Sequence, residues 1–231
     1  MNSENPLNRA NQANQEEQVE SVRQVFDSWA TAGRADGLER HHGPSARPAF
    51  DRLALRPDAR YLDIGCGNGY TVRWAAETCP RGRAIGLDVS ARMIELARRL
   101  SAAWDHVEFR QSAFPEQSLP ESSFDAIFSM ETFYYLPDIP AALERVHALL
   151  KPGGRFACVL DFYAENTESH DWPAELGVSM RLMSALGWKK AFGAAGLEVI
   201  EQGRIKRAPD SGAPEWKIRQ GSLLTLGVKP D

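Results

Sequence analysis

At 231 residues, with 43% hydrophobic residues, 25% charged residues and a formal net charge of −4, the chain has the make-up of one medium-sized globular unit. The mild acidity leaves no basic footprint for nucleic acid, and Arg98-Arg99 reads as a solvated helix face. Three cysteines, Cys66, Cys79 and Cys158, lack metal-ligand spacing; they argue against a disulfide framework or zinc site and for a reducing, cytoplasmic compartment. No apolar run could span a bilayer, and the Asn/Gln/Glu-rich start has no signal-peptide pattern.

Residues 1–16 are polar and low in complexity, and are expected to be disordered. Val19, Val22, Val25, Phe26 and Trp29 then recur at three- and four-residue steps. That spacing predicts an amphipathic helix ending at Gly33. A polar linker covers 34–45, and a short second helix is predicted to end before Pro57. Residues 17–56 are read together as a helical lid on a domain running from 57 to 231. From residue 60 strands and helices alternate: strands at 60–64, 83–89, 106–111, 123–130 and 154–163, helices at 69–79, 90–103 and 138–150. Ser90 is the expected cap of the second of these helices. A helical region at 178–196 and strands at 197–205 and 216–229 follow. Alternation of this kind predicts an α/β fold with a doubly wound, mostly parallel sheet. The last two strands have no helix between them and should pair antiparallel.

The first strand runs into "YLDIGCGNGY", residues 61–70. Glycines there let the backbone turn sharply and let a ligand approach closely. A triphosphate loop needs a Lys-Ser or Lys-Thr pair after its glycines; here Tyr70-Thr71-Val72-Arg73 follows. A dinucleotide turn places its third glycine one residue later than Gly69, and Asp63 would repel a pyrophosphate. A carboxylate at Asp63 suits an amino group instead, and Asp88, ending the second strand, suits ribose hydroxyls. These features describe a nucleoside with an amino-acid tail and no phosphate.

The chain here resembles the class I S-adenosylmethionine-dependent methyltransferases that act on small molecules, in the manner of the UbiE-like group. Four motifs in order carry the resemblance: "YLDIGCGNG", "GLDVSARMIELAR", "SFDAIFSMETFYYLPD" and "ALLKPGGRF". It is strong over about residues 60–160 and looser elsewhere. It implies a Rossmann-like seven-stranded sheet with an antiparallel last strand, and S-adenosylmethionine as cofactor. By resemblance, Asp63 and the turn Gly65, Cys66, Gly67, Asn68 and Gly69 hold the methionyl part. Asp88 holds the ribose, and Val89 and Met93 lie against the adenine. The family often carries an Asp after the third strand for the adenine amino group; Ala113 stands there instead, leaving apolar contact from Ala113 and Phe114. Ser129, Met130 and Glu131 should line the sulfonium side.

Methyl transfer from a sulfonium relies on holding the nucleophile close and aligned. A base is needed only where the acceptor must lose a proton. Candidate catalytic residues are His42, Tyr134, Tyr163 and His170. Candidate acceptor contacts are Tyr135, Asp161, Glu165 and Trp172, in the polar and aromatic loops that follow the fourth and fifth strands. No metal is expected, since His, Asp and Glu show no ligand spacing. The expected partner is a small-molecule methyl acceptor, polar or amine-bearing, with no nucleic acid or membrane and a monomeric or homodimeric state. The alternatives are a nicotinamide-dependent oxidoreductase and a cofactor-binding module without catalysis.

Overall fold

A computed structural model describes residues 6–115 and 118–231. The elements in order are α1 (Pro6–Thr31), a 3-10 turn (Arg34–Gly37), α2 (Leu38–Asp51), β1 (Arg60–Ile64), α3 (Tyr70–Thr78), β2 (Arg83–Asp88), α4 (Ala91–Leu100), β3 (Val107–Gln111), β4 (Phe124–Met130), α5 (Ile139–Leu149), β5 (Leu150–Leu160), α6 (Trp172–Leu176), α7 (Ala185–Ala194), β6 (Glu198–Ile205), α8 (Glu215–Arg219) and β7 (Ser222–Val228). The seven strands form one sheet in the order β3-β2-β1-β4-β5-β7-β6. Only β7 runs against its neighbours, pairing antiparallel with β5 and β6. The sheet is therefore the doubly wound, mixed sheet that the alternation predicts.

Side chains alternate across each strand, and both faces are covered, as a parallel sheet requires. Leu62, Ile64, Ile127, Phe156 and Cys158 pack on one face with Val146 of α5 and Trp188 and Phe192 of α7. Tyr61, Ala126, Phe128 and Val159 pack on the other with Phe50 of α2 and Val72 and Ala75 of α3. Strand order reverses at β1, which lies between β2 and β4. The carboxyl ends of these strands are where an open α/β sheet binds its ligand.

Several predicted boundaries change. Residues 1–5 lie outside the described residues, but 6–16, expected to be disordered, belong to α1. The polar linker at 34–45 is mostly helical, because α2 begins at Leu38 and continues through Pro44 and Pro48. Burial of Ala46, Ala49 and Phe50 against the sheet outweighs the backbone hydrogen bonds those prolines remove. Finally, the predicted strand at 216–229 starts only at Ser222, and 215–219 forms the short helix α8.

Helix α1 docks along α4 and above the turn after β4. Phe26 and Trp29 pack with Met93 and Leu96. Gln18 Nε2 donates to Tyr135 O at 2.7 Å, and Ser90 Oγ donates to Asp27 Oδ1 at 2.6 Å. Ser90 Oγ also accepts the Met93 N–H, so the cap of α4 doubles as the anchor of α1.

Candidate active site

A cavity of about 590 Å³ opens at the carboxyl ends of β1, β2, β4 and β5, within the size range of small-molecule sites. Helices α1 and α2 roof it with Val22, Phe26, Leu38 and His42.

One half is built by the glycine turn and the end of β2. Gly65 has φ +77°, and a Cβ there would lie 1.9 Å from Thr132 Oγ1. Gly69, also at φ +77°, abuts Phe109 Cε1, at 2.7 Å from where its Cβ would be. No side chain fits either position, so the turn can close against the sheet only as glycine. Asp88 accepts the Gly67 N–H on Oδ2 and the Ser90 N–H on Oδ1, both at 2.9 Å. Burial lifts the Asp88 carboxyl to about 6, against the pull of those two N–H groups. Asp63, only 2% exposed, takes the Thr71 hydroxyl on Oδ2. Burial raises its pKa to about 7, and the charge of Asp88 adds to the shift.

These two carboxylates line the cavity, and among the described residues neither has a basic side chain in contact. Such a wall is short of positive charge and of hydroxyl donors. Tyr70, on the same wall, has a buried hydroxyl without a partner. A ligand with an ammonium group and vicinal hydroxyls fits that deficit, as S-adenosylmethionine has. Val89, Met93, Ala113 and Phe114 supply an apolar stretch beside Asp88.

The other half lies over the ends of β4 and β5. Glu131 sits just beyond β4 at φ +56°, a left-handed conformation unusual for its type. Its Oε2 accepts the Tyr134 hydroxyl at 2.8 Å, and its Oε1 accepts the Asp161 N–H. Burial, together with the nearby charge of Asp161, pushes the Glu131 carboxyl well up. Asp161 is ion-paired with Lys217 at 2.8 Å. Burial and the Lys217 charge hold the His42 imidazole down at about 4.

Of the sequence candidates, His42, Asp63, Gly65, Cys66, Gly67, Asp88, Val89, Met93, Ala113, Phe114, Met130, Glu131, Tyr134, Tyr135, Asp161 and Trp172 line this one cavity. Burial raises the Cys66 thiol pKa well above its usual value, so Cys66 fills space there without being a ready thiolate.

Six candidates sit elsewhere. Tyr163 is buried and donates to Gly221 O at 2.9 Å. His170 is exposed, with Nε2 at 3.1 Å from Ala164 O. Glu165 is exposed and accepts the Ala185 N–H at the start of α7. Ser129 Oγ donates to Ile64 O at 2.8 Å, tying β4 to β1. Asn68 Nδ2 donates to Ala35 O at 2.8 Å, tying the glycine turn to the 3-10 turn. Gly69 starts α3. Sequence reasoning missed Thr132, Trp216 and Lys217, which also line the cavity. No motif marks Lys217, because its partner Asp161 is far away in the sequence.

Comparison with known proteins identifies the family. Residues 38–202 match a family model described as "Methyltransferase domain". The chain is 34% identical over 109 residues to demethylmenaquinone methyltransferase of Symbiobacterium thermophilum, covering 46% of this chain and 43% of that protein. It is 33% identical over 134 residues to nocamycin O-methyltransferase of Saccharothrix syringae, covering 57% and 48%. These matches span about half the length of the curated relatives or less. A solved Haloferax volcanii methyltransferase, in complex with the Trm112 methyltransferase activator, is 34% identical with a TM-score of 0.82, covering 89% of this chain and 98% of that one. No helix among the described residues is long and apolar enough to cross a membrane.

Proposed function

The chain belongs to the class I S-adenosylmethionine-dependent methyltransferases, and on that premise we propose that it methylates a small acceptor bound over the ends of β4 and β5. The observation that carries this reading is the single roofed cavity, whose one half fits the cofactor and whose other half is polar and aromatic. Asp63 would take the amino group, Asp88 the ribose hydroxyls, and Val89, Met93, Ala113 and Phe114 the adenine. When bound, the cofactor supplies an electrophilic methyl group and a thioether leaving group.

The chain's own task is then to align a nucleophile and exclude water. Glu131 and Tyr134 hold each other at the boundary between the two halves. Tyr135 and Trp172 form apolar walls, and α1 covers the top. The roof and the modest volume support a small molecule over a polymer as the acceptor. Titration with S-adenosylhomocysteine and with NADH tests the cofactor assignment. Sub-millimolar binding of the first is expected, and tight binding of NADH alone would overturn the reading.

The likeness to the Haloferax volcanii protein supports a second reading, that this chain also takes a Trm112-type activator. Co-expression with such a protein should then give a stable complex, and independent elution of the two chains would contradict it.

A further inference from the structure

The acceptor end of the cavity has hydrogen-bond donors left over. Asp161, 2% exposed, accepts Ser222 Oγ on Oδ1 at 2.6 Å and is ion-paired through Oδ2 with Lys217 Nζ at 2.8 Å. Glu131 accepts the Tyr134 hydroxyl and the Asp161 N–H. Lys217 is different. It is 8% exposed, and an ammonium carries three donors. Among the described residues Nζ is ion-paired with Asp161 Oδ2; its other close neighbour is the Trp216 ring, at 5.1 Å. The ammonium therefore opens on the cavity with donors that no hydrogen bond within the described residues takes up, and a ligand there can accept them. His42, on the same cavity, has a fully buried Nδ1 without a partner.

The charges point the same way. Lys217 offsets Asp161, while burial favours the neutral forms of Glu131 and His42. The acceptor end thus offers the Lys217 ammonium as a donor. The cofactor end, with Asp63 and Asp88, offers acceptors. Around Lys217 the walls are aromatic, with Trp172 and Trp216 meeting edge to face at 6.0 Å and Tyr134 beside Tyr135 at 4.5 Å.

We propose that Lys217 receives an ionised oxygen of the acceptor, and that the acceptor is a planar molecule with an acidic hydroxyl, a phenol or an enol. This assignment rests on the methyltransferase reading above. The hydroxyl proton leaves to solvent as the acceptor binds. A lone pair on the acceptor oxygen forms the bond to the methyl carbon, and the electron pair of the carbon–sulfur bond stays with sulfur. The opposite charges of the oxygen and the sulfonium cancel, so no proton moves in that step. Lys217 sets which acceptors bind, and ion-paired Asp161 fixes where its ammonium sits.

The test is a calorimetric titration of the S-adenosylhomocysteine complex with 4-nitrophenol at a pH where it is ionised, and with uncharged nitrobenzene. The parent protein should prefer the phenolate by roughly tenfold or more. Lys217→Met should abolish that preference, and Lys217→Arg should keep it. Because Lys217→Met leaves Asp161 buried and unpaired, a double variant, Asp161→Asn with Lys217→Met, removes both charges together and should also lose the preference. Equal binding of the two probes by the parent would overturn the assignment. So would no phenolate binding at millimolar concentration, or a preference that survives in the double variant. Parallel titration with S-adenosylhomocysteine separates the two levels: normal cofactor binding without phenolate preference removes the Lys217 assignment alone, whereas absent cofactor binding removes the methyltransferase reading itself.

Discussion

Asp88 Oδ2 accepts the Gly67 N–H at 2.9 Å, so the acid that ends β2 is bonded directly to the glycine turn that follows β1. The same carboxylate holds the start of α4 through the Ser90 N–H. Each oxygen keeps a further lone pair for a ligand. Asp88→Asn retains one acceptor oxygen and much of this scaffold but loses the charge. It should weaken S-adenosylhomocysteine binding by about 1–3 kcal/mol. An unchanged dissociation constant would mean that the ribose lies elsewhere.

The turn itself tolerates no side chain at Gly65. Gly65→Ala adds about 1–2 kcal/mol of backbone strain at positive φ, and its methyl collides with Thr132 Oγ1. A lower Tm and loss of cofactor binding are expected. Adding Thr132→Ala should recover part of the Tm, since it removes the contacts with Oγ1 and Cγ2 but leaves the contact with the residue-132 Cβ at 2.7 Å and the strain. No recovery would place the damage in the backbone strain and the remaining Cβ contact.

Asp63 gives the cofactor site a pH dependence. Its carboxyl is raised to about 7 by burial, so below that pH the free site is largely protonated. An ammonium-bearing ligand prefers the ionised form, and binding it releases a proton. Affinity for S-adenosylhomocysteine should therefore rise as pH increases from about 5 to about 7 and then level off. Asp63→Asn should bind more weakly and flatten the profile. A profile in the variant as steep as the parent's would assign the titration to another group.

Helix α1 acts as a lid in this reading, latched by Asp27 to Ser90 and by Gln18 to Tyr135 O. Residues 12–17 are exposed, so removing 1–16 should leave cofactor affinity intact. Removing residues through 42 takes away Val22, Phe26 and His42 from the cavity wall and should abolish methyl transfer. Equal activity of the two truncations would show that the roof is dispensable.

The sheet and the cofactor half were legible because they depend on short, local signals. Burial on both faces gives near-continuous apolar strands such as residues 156–160, and a glycine turn announces itself in five residues. The acceptor half was less legible because it depends on where distant segments meet. Asp161 faces the cavity while Tyr163, two residues on, turns away to Gly221 O, and no local pattern separates them. Glu165 and His170 share the polar character of their neighbours but spend it on loop backbone. Lys217 falls in the strand predicted at 216–229, whereas α8 places it against Asp161, just beyond β5. In α2 the polar run at 34–45 argued for a linker, whereas contacts with the sheet decided for a helix.

The proposed reaction is tested most directly with methyl-labelled S-adenosylmethionine, incubated with the full chain and a cell extract and then separated by product size. Label should appear in low-mass products, depend on the protein, and fall sharply with Asp88→Asn. Label in protein or nucleic acid would contradict the small-acceptor assignment, and the absence of transfer from a protein that binds the cofactor would contradict the catalytic one.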